Sequence, residues 1–152
     1  MAVGKGNSDI TDRLDTGSPL LLDGAMGTQL LMRNVDVELP LWSAAILENS
    51  PSTVEEIHAE YLHAGADVVT TNTFRTTTRT FRKVCNDIKE ATERAREVCK
   101  TAVEVARKAA GEAQFVAGSL APLEDCYLPD LFPGENAALE EFQEMGNWLV
   151  ED

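Results

Sequence analysis

Three times between residues 19 and 150 a short apolar run is followed by a stretch of helical period, and few folds satisfy that alternation. The runs are Pro19-Leu20-Leu21-Leu22-Asp23-Gly24, Asp67-Val68-Val69-Thr70-Thr71-Asn72 and Phe115-Val116-Ala117-Gly118-Ser119-Leu120. Each is too short for a helix, and each is leucine-rich, β-branched or aromatic, as strands buried on both faces are. The stretches between them carry hydrophobic residues at steps of three and four. Strands separated by helices have to pair in parallel, through right-handed crossovers. The expected class is α/β, and periodicity leaves two architectures: an open doubly wound sheet, or consecutive units of an eight-stranded barrel.

The clearest helix is the second. Ile88, Ala91, Ala95, Val98, Ala102, Val105 and Ala109 fall on one face, and Gly111 ends it. Four of the seven are alanine, which suits close packing on a sheet better than a leucine-type zipper seam. The first helix is expected over 50–64. Pro51 suits its opening turn, Ser52 and Glu55 have capping-box spacing, and Gly65 can stop it. Val54, Ile57, Tyr61 and Leu62 form its stripe. The third spans 136–150, with Leu139, Phe142, Met145 and Leu149 in register. Residues 24–28 read as a Gly-punctuated loop, and 123–134 as a loop rich in Pro and acidic residues. Residues 1–18 lack an apolar period and read as a flexible lead-in to one domain over 19–152.

Composition narrows the partners. The formal charge of −13 over 152 residues would repel phosphate across most of the surface, so nucleic acid is not an expected partner. No apolar run is long enough to cross a bilayer, and the N-terminus has no secretory core, so the default location is the cytoplasm. Cys85, Cys99 and Cys126 have no metal-ligand spacing and read as reduced, mostly packing residues.

In either architecture a ligand binds at the carboxyl ends of the strands. Those ends deliver Asp23 with the loop to Thr28, then Thr71, Asn72 and Thr73, then Gly118 and Ser119. One carboxylate, a Gly-rich backbone and several hydroxyls suit a small zwitterion: the carboxylate pairs with an ammonium, and backbone N–H groups hold a carboxylate. Against this, Asp-Gly is a common turn, and Gly24-Ala25-Met26-Gly27 is no dinucleotide fingerprint. His58 and His63 are read as surface or packing residues away from the pocket, Trp42 and Trp148 as packing anchors.

Leu22-Asp23-Gly24-Ala25-Met26-Gly27-Thr28, then Ala66-Asp67-Val68-Val69-Thr70-Thr71-Asn72-Thr73-Phe74, then Val116-Ala117-Gly118-Ser119-Leu120-Ala121-Pro122 together resemble the homocysteine S-methyltransferase family. The resemblance runs from Pro19 onward. It implies a (β/α)8 TIM barrel in which zinc binds the homocysteine thiol as thiolate and a methyl donor supplies the methyl group of methionine. It further implies that Asp23 binds the substrate amino group, that the backbone of Ala25, Met26 and Gly27 lies near the carboxylate, and that Thr71, Asn72, Thr73 and Ser119 line the pocket. The family's zinc ligands, a cysteine of a late strand and an adjacent cysteine pair, have no counterpart in this sequence. A complete barrel needs ~250 residues, so the resemblance implies an incomplete barrel of about the first three βα units. Such a piece is expected to be inactive alone, with self-association or a complementing C-terminal half finishing the fold. The alternatives are a non-catalytic amino-acid-binding or assembly module without the metal, and an unrelated barrel or open-sheet enzyme.

Overall fold

A computed structural model describes residues 10–151. Two short parallel strands, β1 (Val68–Thr70) and β2 (Phe115–Ala117), pair Val68 with Phe115, Val69 with Val116 and Thr70 with Ala117. On the other edge of β1, Leu22 forms a parallel bridge to Val68. The spatial order is thus the Leu22 segment, β1, β2, which is the chain order expected of successive crossovers.

The described residues also form seven helices: α1 (Ile10–Asp15), α2 (Met26–Met32), α3 (Ala45–Asn49), α4 (Pro51–His63), α5 (Thr78–Phe81), α6 (Ile88–Ala110) and α7 (Glu135–Leu149). Single 3-10 turns cover Trp42–Ala44 and Pro129–Leu131. None of the described helices is long and apolar enough to cross a membrane. Of the expected lead-in, residues 1–9 lie outside the described part, and α1 buries no side chain.

Helix α6 organises the core. Asp87 caps it by accepting from the Glu90 N–H, and Gly111 ends it at φ +60. Ala91, Ala95, Val98, Cys99, Ala102 and Val105 pack with Val54 of α4, Phe81 of α5 and Met145 and Trp148 of α7. The alanines let neighbouring helices approach closely. Behind them, Ala106 and Ala110 cover Val69 of β1. Ile88, expected in the stripe, is the first residue of the helix and is 59% exposed.

Several other expectations are corrected. Leu21 and Leu22 are exposed rather than buried on both faces, since their segment bonds to β1 on one side only. Residues from Met26 on form α2, not loop. Helix α4 starts at Pro51 with Ser50 as its N-cap, so Ser52 lies inside the first turn and cannot cap. Glu55 instead accepts from Lys108 Nζ of α6 at 2.8 Å. On α7 the buried face runs through Ala138, Met145 and Trp148, which turns Leu139 outward. Phe142 and Leu149 are half-buried.

The long loop after β2 is held by charge. Arg79 of α5 pairs with Glu124 of that loop and Glu141 of α7, and Lys83 pairs with Glu124 at 2.6 Å. These pairs tie the β2 loop and α7 to α5.

Candidate functional site

The tips of the strands carry the polar chemistry, and the backbone ladder explains how Asp23 reaches it. The Asp23 N–H bonds to the Val68 carbonyl at 2.9 Å. Two residues further along β1, at Thr70, the Asp23 carboxylate supplies the next rung. Thr70 N–H donates to Oδ2 at 2.9 Å, and the Thr70 hydroxyl donates to Oδ1 at 2.8 Å. The carboxylate is 5% exposed. Burial pushes its pKa up, but the neighbouring His58 imidazole and the two Thr70 donors outweigh burial, leaving Asp23 below the ordinary carboxylate range. It is an anion at neutral pH.

Thr71, Thr73 and Ser119 form a closed ring. The Ser119 N–H donates to Thr71 Oγ1 at 3.0 Å. The Thr71 and Thr73 hydroxyls are 2.8 Å apart, and the Thr73 hydroxyl donates to the Ser119 carbonyl at 2.8 Å. With the Thr73 proton committed, Thr71 is the donor between them. The ring fastens the β2 exit to the β1 exit. Asn72 is held reciprocally: its amide donates to the Ser43 carbonyl at 2.8 Å and accepts from the Ser43 hydroxyl at 2.7 Å.

These groups border a cleft of about 820 Å³. Its walls include Asp23, Ala25, Met26, Gly27, Thr71, Asn72 and Ser119. Thr73, expected beside them, is 1% exposed and lies beneath the wall with its hydroxyl turned to Ser119. The cleft also takes in residues that sequence reasoning did not select: Ser43, Thr70, Phe74, Arg75 and Tyr127. Trp42, read as a packing anchor, is part of the wall and meets Phe74 edge-on, ring centroids 5.9 Å apart. Trp148 does lie in the core.

Two glycines are required by close approach. A Cβ on Gly24 would lie 2.8 Å from the Tyr61 hydroxyl oxygen, and one on Gly27 would lie 2.8 Å from Trp42 Cζ2. Glycine at 27 thus lets α2 begin flush against the indole. The first N–H groups of α2 have no side-chain cap and border the cleft.

His58 was expected on the surface or in packing away from the pocket. It is fully buried, and Nδ1 stands 3.7 Å from Asp23 Oδ2. Its position four residues after Val54 on the buried face of α4 was the available signal. His63 is exposed.

The residues present do not fit a zinc centre by themselves. Among the described residues no group of three His, Cys, Asp or Glu side chains could hold a metal ion. Cys99 is buried in the core, Cys85 accepts from Arg94 at 3.3 Å, and Cys126 is exposed at the cleft.

Comparison with known proteins places this geometry. A family model described as homocysteine S-methyltransferase matches residues 20–151. Homocysteine S-methyltransferase 1 of Zea mays is 42% identical over 59 residues, 39% of this chain and 18% of that protein. The homocysteine S-methyltransferase of Escherichia coli (strain K12) is 38% identical over 69 residues, 45% of this chain and 22% of that protein. The metallated form of the homocysteine methyltransferase MmuM from Escherichia coli superposes with a TM-score of 0.78 at 28% identity. That alignment covers 93% of this chain and 54% of the solved one, so the chain spans about half the length of the structure it matches.

Proposed function

The chain belongs to the homocysteine S-methyltransferase family, and from that premise we propose that it forms the amino-acid-binding part of an enzyme that methylates the homocysteine thiol to methionine. Its fold corresponds to the first three βα units of a (β/α)8 barrel, and the proposed protein partner is a second copy or a complementing C-terminal half. The observation that carries the reading is the buried Asp23 anion, fixed by Thr70 at the edge of a cleft that the uncapped start of α2 also borders. An amino acid is a small zwitterion, and those two features oppose charges of the right sign. Its ammonium pairs with Asp23 in a charge-assisted bond, worth about twice a neutral one. Its carboxylate lies near the backbone of Ala25, Met26 and Gly27. Thr71, Asn72 and Ser119 define the wall between them, while Thr73 acts through its bond to Ser119. The Ser43–Asn72 pair and the threonine ring leave these groups little freedom, so the pocket is set before the ligand arrives.

Zinc, which the resemblance implies for the complete enzyme, would activate the thiol as thiolate. Among the described residues no group of side chains could hold it. The chain's own task is to bind and orient the amino-acid end. The cleft has room for a second small molecule, and a methyl donor is the partner the proposal requires. The cytoplasm is the proposed location.

Supplying the C-terminal half of a relative in trans, with zinc, homocysteine and S-methylmethionine, tests the reading. The expected result is methionine formation by the mixture and by neither part alone. A folded complex of the two halves that binds zinc and makes no methionine refutes it.

A further inference from the structure

Helix α4 carries a side chain that packing does not explain. His58 is fully buried, and neither ring nitrogen has a hydrogen-bond partner among the described residues. Buried polar atoms are bonded in the large majority of cases, because an unpaired one loses its hydration without replacement. An apolar side chain would fill the space without that loss. One charged group stands beside the ring: Asp23 Oδ2, 3.7 Å from Nδ1. Tyr61, further along α4, fixes the same loop from the same side. Its ring lies against Gly24, and its hydroxyl donates to the Ala25 carbonyl at 3.4 Å. The helix therefore backs the whole 23–25 turn, with His58 behind the carboxylate and Tyr61 behind the backbone.

We infer that His58 is a positioning residue for the ammonium site: a neutral imidazole with its proton on Nδ1, facing Asp23 Oδ2 and keeping that carboxylate aimed at the cleft. The inference rests on the proposal that Asp23 receives the ammonium of an amino acid. At 3.7 Å the ring is beyond a full hydrogen bond, yet its N–H dipole still favours the anion. Both short donors to Asp23 come from Thr70, on the sheet side. His58 adds a longer, dipolar contact from the helix side, so the carboxylate stands between two elements. The neutral form is the one that serves binding. A cationic ring would already neutralise Asp23 and compete with the ligand's ammonium, whereas a dipole leaves the negative charge for the ligand.

Titration calorimetry of the full chain, in the presence of chelator, with homocysteine and with 4-mercaptobutyrate, its analogue without the amino group, tests this. The unsubstituted chain is expected to bind homocysteine ~10-fold more tightly or better, a factor equivalent to ~1.4 kcal/mol. His58→Phe keeps a ring but no donor. It should lower homocysteine affinity several-fold and leave the analogue's unchanged. His58→Asn, whose amide can stand where Nδ1 stood, should recover most of the loss. Equal losses for both ligands in His58→Phe, or no recovery in His58→Asn, mean a structural imidazole and overturn the inference. A chain that does not distinguish the two ligands at all defeats the ammonium reading itself, and the inference with it. If His58→Phe does not fold, nitrogen-15 NMR of the unsubstituted chain decides. An Nδ1-protonated neutral ring at pH 7 supports the assignment, and an Nε2-protonated or doubly protonated ring overturns it.

Discussion

Replacing Asp23 with Asn isolates the charge from the shape. The amide can place its oxygen where Oδ2 accepts from the Thr70 N–H at 2.9 Å, and its nitrogen where Oδ1 now lies, 2.8 Å from the Thr70 hydroxyl. That hydroxyl can rotate and accept instead. Both contacts survive, as neutral bonds worth about 0.5–1.5 kcal/mol each rather than the 1.5–3 of a bond to a charged group. Against that loss, the variant no longer buries a charge, and burial is the largest influence acting on this carboxyl. The two changes oppose each other, so stability should move by about 1 kcal/mol or less. Ligand binding has no such offset. Losing a charge-assisted bond of about 1.5–3 kcal/mol should weaken homocysteine by about 10- to 100-fold. Calorimetry with homocysteine, beside urea denaturation of both chains, measures the two effects separately. A folded Asp23→Asn chain whose homocysteine affinity stays within about twofold would refute the ammonium assignment. The same variant has a signature in acid. The folded chain holds this carboxyl below its unfolded value of about 3.9, so its stabilisation is complete above that pH. It is lost as pH falls through the lower folded value, and Asp23→Asn should flatten that part of the acid limb.

Other perturbations probe the frame. Phe81→Ala empties a fully buried site between α5 and α6 and should cost about 3–5 kcal/mol in denaturant unfolding. Gly27→Ala brings a Cβ to 2.8 Å from Trp42 Cζ2, so it should destabilise by about 1–3 kcal/mol and perturb the Trp42 fluorescence. An unchanged spectrum would mean that the indole is not seated on α2. Asn72→Ala removes both bonds to Ser43 and leaves a buried carbonyl unpaired, at about 1–3 kcal/mol by the same unfolding assay. Burial pushes the Cys99 thiol up to about 11, while Cys126 is exposed. In the native chain a thiol reagent at neutral pH should label Cys126 first and reach Cys99 only on unfolding.

The class of fold was legible because strands and helices have different hydrophobic periods. The Ala-rich face of α6, its stop at Gly111 and the β-branched β1 are local facts of the sequence. So were the motifs that signal the family, since they are runs of neighbours along the chain. What the sequence could not convey were the relations between distant residues. Leucines 20–22 read as a doubly buried strand, but burial depends on what stands on either side, and that segment bonds along one side, to Asp67 and β1. Trp42 and Ser43 belong to the cleft because a turn between α2 and α3 brings them against Gly27 and Asn72. No periodicity reports such a meeting.

Two histidines five residues apart on one helix looked alike in the sequence. Rotation about α4 makes His63 exposed and turns His58 inward beneath Asp23, 35 positions earlier in the chain. Local pattern therefore determined which elements form and which family they resemble. Tertiary structure decided which polar groups spend their hydrogen bonds on each other, as Thr71 and Thr73 do. It also decided which carboxylate stays an anion inside the fold, as Asp23 does, because desolvation and donor geometry are properties of the packed site and not of any stretch of sequence.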